Sequence, residues 1–377
     1  MKAVITQDLS KIYTGGKKAV NEVCITLEQG EVFGFLGPNG AGKTTTVKLL
    51  NGTLTPTAGT CRVFDIDPFV KPEQVHQFSG VVTEHAQMYD NLTGFQNLVF
   101  YGTLFGANTT DSAKRALALL DQLELTDAKD RKLVAYSTGM RQRLSLARAM
   151  MHRPKMLFLD EPTAGLDPES VHSVNNMIKR LSEEEGVTVF LCTHQLRYAQ
   201  EICSSYGLID NGVLLAAGSL DELRSLIFSG MTVSIETDRF PEDILSTFSV
   251  HPTPSVSSAP SAPSALPAPP APSAFSVHPT PSVSSAPSAL PAPSALSSPS
   301  TPSAPSVCST PSTPSSKTGK QHYEINVQTE DDIPFVVKRI IDGGGSVYHV
   351  SARRLSLEEI YFSLLEKRNG KKEVRDD

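Results

Sequence analysis

Positions 37 to 45 read GPNGAGKTT. Glycines flanking a short loop, then Lys43 and Thr44, fit the pattern G-x-x-x-x-G-K-[ST]. In that pattern the backbone N–H groups turn inward around phosphate oxygens. The lysine reaches the β and γ phosphates, and the threonine hydroxyl can bind a divalent cation. Gly37, Pro38, Asn39, Gly40, Ala41, Gly42, Lys43, Thr44 and Thr45 are therefore the candidate phosphate-binding residues.

Two further stretches place chemistry at the end of an apolar run. MLFLDEP (156–162) closes on Asp160 and Glu161. An acid at such a strand end suits a hold on Mg²⁺, and its neighbour can orient or deprotonate an attacking water. VTVFLCTH (187–194) closes on His194. In a parallel sheet the carboxyl ends of the strands face the ligand crevice, so the phosphate loop, Asp160, Glu161 and His194 are expected to share one site. His85, His152 and His172 have no comparable support.

A second Ser/Gly turn stands at YSTGM (136–140), ahead of a stretch with Leu144, Ala147, Arg148 and Met151 at helical spacing. A helix start with bare N–H groups is itself an anion site. The two turns serve one nucleotide, or two; spacing leaves both readings open.

Residues 1–225 alternate short apolar runs with amphipathic stretches, the pattern of an α/β layer fold. EVFGFLG (31–37) reads as a buried strand entering the glycine loop, and TTTVKLLNG (44–52) as the helix leaving it, stopped by Gly52. In DPESVHSVNNMIKRLSEEEG, Asp167 caps a helix, Pro168 takes its first position, and Val171, Val174, Ile178 and Leu181 form its inner stripe. MTVSIET, HYEINVQT and SVYHVSARR read as strands, PEDILSTF and IPFVVKRII as helices. The last helix opens at Ser356 with Glu359 three residues on, a capping box. These elements form a small α+β module from residues 226–250 and 321–368, followed by a charged tail, 369–377.

The module is interrupted by residues 251–320. Within 251–316 lie 18 of the 27 prolines and no charged side chain, and FSVHPTPSVSSAPSA occurs at 248–262 and again at 275–289. Proline this dense forbids helices and strands, so the repeat is read as a duplicated, disordered, partly polyproline spacer rather than a solenoid. A docking segment for a proline-reading partner is the functional alternative.

The 377 residues suggest two or three domains, and a formal charge of −6 gives no basic field for nucleic acid. Five scattered cysteines without a CxxC pair read as free thiols. The N-terminus has no apolar signal region, and no run approaches 18 apolar residues, so a membrane is expected to be reached only through a partner.

GPNGAGKTT, YSTGM, LFLDEPTAGLD and CTH, in that order, give residues 1–225 a close resemblance to the ATP-hydrolysing domain of an ABC transporter. The resemblance implies an α/β, P-loop RecA-like core with a helical subdomain at about 85–150, ATP and Mg²⁺ as cofactors, and two copies packed head to tail. Each ATP would then lie between the phosphate loop of one copy and the signature turn of the other, here Ser137, Thr138, Gly139 and Met140. Tyr13 would stack on adenine, Asp167 would communicate between sites, and His194 would contact the γ-phosphate. Thr44, Asp160 and Glu84 would serve Mg²⁺, with Glu84 standing where the family usually has glutamine and Gln87 as a weaker candidate. Thr138 and Met140 depart from the LSGGQ pattern, while Ser137 and Gly139 keep it. TEHAQMYDNLTGFQNLVFYG and SLEEIYFSLLEK resemble the ATP-binding subunits of multidrug or antibiotic exporters. That implies a separate membrane permease, a place on the cytoplasmic face of the cell membrane, and no nucleic-acid partner. The rival is a soluble ABC ATPase acting on ribosomes or nucleic acid. The absence of an N-K-x-D motif speaks against a GTPase.

Overall fold

The computed structural model describes residues 1–83, 88–227, 230–241, 244, 250–253 and 321–373. Along the chain it forms β1 (Lys2–Ile12), β2 (Lys18–Val23), β3 (Thr26–Glu28), β4 (Val32–Leu36), α1 (Lys43–Leu50), β5 (Ala58–Val63), α2 (Pro72–Phe78) and β6 (Ser79–Val82). There follow α3 (Gly94–Leu104), α4 (Thr109–Gln122), α5 (Thr138–Met150), β7 (Met156–Asp160), α6 (Pro168–Glu183), β8 (Thr188–Thr193), α7 (Leu196–Ile202), β9 (Ser205–Asp210), β10 (Val213–Gly218) and α8 (Leu220–Ile227). The chain then gives β11 (Met231–Thr237), β12 (Val250–Thr253), β13 (Gln321–Val327), α9 (Asp332–Asp342), β14 (Val347–Arg353) and α10 (Leu357–Glu373).

Among the described residues, ten strands form one sheet in the order β3-β1-β2-β10-β9-β4-β8-β7-β6, with β5 paired to β1. Its centre is parallel: β4 pairs with β8 and β9, β8 with β7, and β7 with β6. Every residue of β4, β7 and β8 is buried, as expected of strands covered on both faces.

Period-two alternation sorts their side chains into two cores. Phe33, Phe35, Met156, Phe158, Phe190 and Cys192 join Val47, Leu49 and Leu50 of α1 on one face. Val32, Leu36, Leu157, Leu159, Val189 and Leu191 meet the helices of the other. Asp160 continues the series Met156, Phe158, so its carboxylate falls on the face of α1. The alternation thus decides which strand-end residue can reach the phosphate loop.

Capping follows local chemistry. Asp167 accepts the Ser170 N–H at 3.0 Å and starts α6 with Pro168 at its first position. Thr93 and Gln96 form a reciprocal capping box at α3. Ser356 and Glu359 do the same for α10.

The chain divides into two compact units: residues 1–233 with 326–335 and 351–377, and residues 234–325 with 336–350. In the first, α10 lies against α7 and α8. It buries Leu357, Ile360 and Tyr361 in the main core, gives its Leu357 N–H to Gln200 at 2.7 Å, and pairs Arg368 with Asp210 at 2.9 Å. Read as sequence, this helix belongs to the C-terminal module; its apolar face, however, finds its partners in the core of the first unit. In the second, Phe240 stacks on Tyr323 and Asp238 accepts the Ser346 N–H at 2.7 Å.

A four-stranded sheet runs β12-β13-β11-β14. β12, antiparallel to β13, was not expected, because Pro252 stands within it and its last three residues fall in the stretch read as spacer. It is an edge strand, where a proline leaves no ladder donor missing. The rest of the proline-rich segment and the PEDILSTF helix, Pro241 and Ile244 excepted, lie outside the described residues. No helix among the described residues is long and apolar enough to cross a membrane.

Phe190 touches Phe33, Phe35 and Phe158, with ring centroids 5.5, 5.4 and 6.1 Å away. Phe190→Ala is expected to lower unfolding stability by about 3–5 kcal/mol, read from the midpoint of urea denaturation. A loss below about 1 kcal/mol would mean that this aromatic layer is not packed as described.

Candidate functional site

β4 runs into the loop Gly37–Gly42 and α1 leaves it. Gly42 has φ 113°, and a Cβ there would lie 2.2 Å from the Ala19 carbonyl oxygen; at Gly37 it would lie 2.1 Å from that of Ile209. Both positions demand glycine through close backbone approach. Gly42 also stands at the N-cap of α1, which has no side-chain cap. Its first N–H groups are left without the partner a side-chain cap would supply, as an anion cradle requires.

A pocket of about 310 Å³ opens over this loop, lined by Tyr13, Lys17, Ala19, Asn39, Gly40, Gly42, Lys43, Thr44, Thr45, Asp160 and Glu161. The order β4-β8-β7 makes its three contributing strand ends neighbours. Thr44 donates its hydroxyl to Asp160 Oδ2 at 2.7 Å, the contact that the face-sharing of Asp160 and α1 makes possible. Lys43, 5% exposed, donates to the Gly37 and Pro38 carbonyls at 2.8 and 3.2 Å and pairs with Glu161 Oε1 at 3.1 Å. His194 Nδ1 reaches the same Oε1 at 3.0 Å. One carboxylate oxygen thus joins Lys43 and His194, and with that bond Nδ1 carries the imidazole proton.

Glu161 sits at φ 52°, a left-handed backbone, held by its own N–H donating to the Cys192 carbonyl at 2.9 Å. Such a conformation costs a non-glycine residue on the order of 1–2 kcal/mol. Burial works to raise its pKa, but the His194 hydrogen bond and the Lys43 ammonium outweigh it and hold the carboxyl below its ordinary value. Its Oε2 is buried with no hydrogen-bond partner among the described residues.

Tyr13 stands at the rim, its hydroxyl 3.4 Å from Thr45 Oγ1. Ser137 caps α5, accepting the Met140 N–H at 3.3 Å, and Gly139 packs so tightly that a Cβ would lie 2.9 Å from Ser170 Oγ. Ser137, Thr138, Gly139 and Met140 do not line the pocket, nor does Asp167. Glu84 and Gln87 lie outside the described residues.

Three contributors escape a motif reading. Lys17 and Ala19 line the pocket because a glycine turn folds the chain back, with the Tyr13 N–H bonded to the Lys17 carbonyl at 3.0 Å. The YTGGK spacing was the available signal. Thr163 donates to Gln195 at 3.2 Å, tying the segment after Glu161 to the residue after His194; nothing in the sequence announces that contact.

The ABC transporter family model matches residues 20–164. The daunorubicin/doxorubicin resistance ATP-binding protein DrrA of Streptomyces peucetius is 40% identical over 230 residues, 61% of this chain and 69% of that protein. The bacitracin transport ATP-binding protein BcrA of Bacillus licheniformis is 36% identical over 220 residues, 58% of this chain and 70% of that protein. Among solved structures, an ATP-binding subunit of an ABC transporter superposes with TM-score 0.54 at 27% identity, covering 59% of this chain and 92% of that one. The fold is also that of the ATP-binding cassette MJ0796, solved as a dimer in a post-hydrolysis state with ADP and Pi, at TM-score 0.53 and 24% identity over 58% of this chain and 98% of that one.

The lowered pKa of Glu161 has a sign that can be tested. The folded chain gives up this proton more readily than the unfolded chain, so the contribution is whole above the unfolded glutamate value of about 4.3. It is lost as pH falls below that, through the lower folded value. Urea unfolding at stepped acidic pH should show a steeper loss of stability in the parent than in Glu161→Gln. Identical acid limbs would mean that the ion pair does not hold Glu161 ionised.

Proposed function

The chain belongs to the ATP-binding proteins of ABC transporters and is an ATPase, and from that premise we propose that it powers export of a small drug- or antibiotic-like molecule through a separate membrane permease. The names of the relatives, drug resistance and bacitracin transport, support the export reading over a soluble ATPase acting on ribosomes or nucleic acid. One observation carries the mechanism: the pocket holds Lys43, Thr44, Asp160 and Glu161, while the cap of α5 stays outside it. A single chain thus offers a phosphate cradle and, elsewhere, a Ser/Gly helix start capped by Ser137. Two copies facing opposite ways would bring each cradle against the other's Ser137 and Gly139.

In this reading ATP enters with adenine against Tyr13 and its phosphates on N–H groups of the loop from Asn39 to Thr45. Lys43 then exchanges the Glu161 carboxylate for β and γ phosphate oxygens. That exchange releases Glu161 from its strongest countercharge, and its unpartnered Oε2 can then accept from the attacking water. Glu161 orients that water and takes its proton, for which a positioned base contributes a factor of about 10²–10⁴. His194 keeps Nδ1–H on Glu161, and with a proton on Nε2 as well it would donate to the γ-phosphate. Asp167, on the loop after Glu161, signals to the partner copy's site.

Thr44 and Asp160, already hydrogen-bonded, are hard oxygen donors of the kind Mg²⁺ takes alongside nucleotide phosphates. Among the described residues, no group of three or more His, Cys, Asp or Glu could hold a metal ion. When bound, Mg²⁺ would neutralise charge on the β and γ oxygens. Glu84 remains the further candidate for it.

The permease would dock on α3 and the turn before it, where Tyr89, Phe100, Leu104 and Phe105 stand exposed. The chain would then sit peripherally on the cytoplasmic face of the cell membrane. The 226–250 and 321–368 segments make a small C-terminal module in this scheme, with 251–320 inserted in it.

Glu161→Gln should retain ATP binding, lose turnover about a hundredfold or more, and trap an ATP-bound dimer visible by size-exclusion chromatography. Hydrolysis at the parent rate would remove Glu161 as the base. In a second test, Lys43→Ala and Ser137→Ala chains, each inactive alone, should regain turnover on mixing, because one intact composite site forms. No recovery would place the whole site in one chain.

A further inference from the structure

At the opposite ends of the strands that carry Asp160 and His194 lies a second polar pocket of about 460 Å³. Arg115 of α4, and Arg153 and Lys155 ahead of β7, line it with a single acid, Glu185. That acid is engaged, its Oε1 accepting from Gln122 Nε2 at 2.8 Å. Among the described residues, the side chains of Arg153 and Lys155 make no hydrogen bond or ion pair. Arg115 gives one guanidinium N–H to the Met150 carbonyl at 3.4 Å, while its Nε–H is buried with no acceptor. Such an orphaned charged donor calls for an explanation.

The backbone beneath these cations is fixed. Arg153 takes φ 55°, its N–H bonded to the Met150 carbonyl at 3.1 Å. Lys155 gives its N–H to Phe78 at 2.8 Å and accepts from Thr188 at 2.9 Å. Burial lowers the Arg115 pKa, with Glu185 opposing and the charge of Arg153 adding to the fall. Three cations thus line one concavity against one engaged acid, in a chain whose formal charge is −6. Like charges assembled so are relieved by an anion able to take several charge-assisted hydrogen bonds at once.

We propose that this pocket is a second anion site, separate from the phosphate loop, which takes a phosphate group between α4 and the start of β7. Bound there, the group ties α4 to the strand that ends in Asp160, just before Glu161. The same chemistry is offered by a soluble phosphate and by the headgroup of an anionic lipid.

The full-length chain carrying Lys43→Ala, which removes the cation of the phosphate loop, should still bind inorganic phosphate by ³¹P line broadening. Adding Arg153→Gln and Lys155→Gln, both at exposed positions, should weaken that binding about tenfold or more. The equal charge loss Lys48→Gln with Lys71→Gln should leave it unchanged. Sedimentation with phosphatidylglycerol vesicles, against phosphatidylcholine, separates the sources. Retention lost in the Arg153/Lys155 variant assigns the pocket to a lipid headgroup, and phosphate binding without retention assigns it to a soluble phosphate. Absence of phosphate binding in the Lys43→Ala chain, or equal loss in both charge-removed chains, overturns the site.

Discussion

A lysine that is 5% exposed cannot stand without countercharge, and most of the site's geometry follows from how Lys43 is neutralised. Two carbonyls of its own loop and Glu161 Oε1 surround the ammonium. Removing one partner of a buried pair costs about 3–5 kcal/mol, because the other charge is left uncompensated. A ligand that displaces Glu161 from Lys43 must therefore supply equivalent negative charge in the same place. A triphosphate does so, whereas a neutral ligand of the same shape does not. The phosphate loop is selective for its ligand partly because the Lys43–Glu161 pair sets the charge that a ligand must supply.

That pairing is possible only because β4, β8 and β7 lie side by side and parallel. The register sets Leu36 beside Thr193 and Asp160 beside Cys192, so the residues that follow each strand leave the sheet at one level. The left-handed backbone of Glu161 then turns its carboxylate toward the loop, although the strand alternation would send the residue after Asp160 to the opposite face. The strain at that one residue is the local cost of placing two consecutive acids in the same pocket. It is supported by the Cys192 carbonyl and by the Thr163–Gln195 contact just beyond.

Much of this was legible in the sequence, for identifiable reasons. Buried parallel strands announce themselves as apolar runs, as in VFGFL, MLFLD and TVFLCT, and each lies within a residue or two of its expected bounds. Caps at Asp167 and Ser356 follow from short polar side chains that satisfy free N–H groups wherever they occur. What escaped is what sequence spacing does not encode. The strand Val250–Thr253 hides in a proline-rich run because edge position, a tertiary property, is what makes Pro252 acceptable. The helix Leu357–Glu373 shows an apolar face without saying what covers it, and its contacts with Gln200 and Asp210 span more than 150 residues of chain. Lys17 reaches the pocket by a turn whose direction the glycines permit but do not dictate.

The position of α10 bears on how the rest of the chain meets the site. α7 begins two residues after His194, and its Gln200 caps α10 while Ile202, Leu357, Ile360 and Tyr361 share one core. Gln195, at the N-cap of α7, accepts from Thr163, two residues after Glu161. A displacement of α10 cannot leave α7 in place without exposing three buried side chains, each worth roughly 1.5–3 kcal/mol of transfer free energy. Packed cores respond by discrete shifts rather than graded bending. The carboxyl end of the chain is therefore mechanically continuous with the histidine side of the site, through helix packing rather than through any contact with the pocket itself.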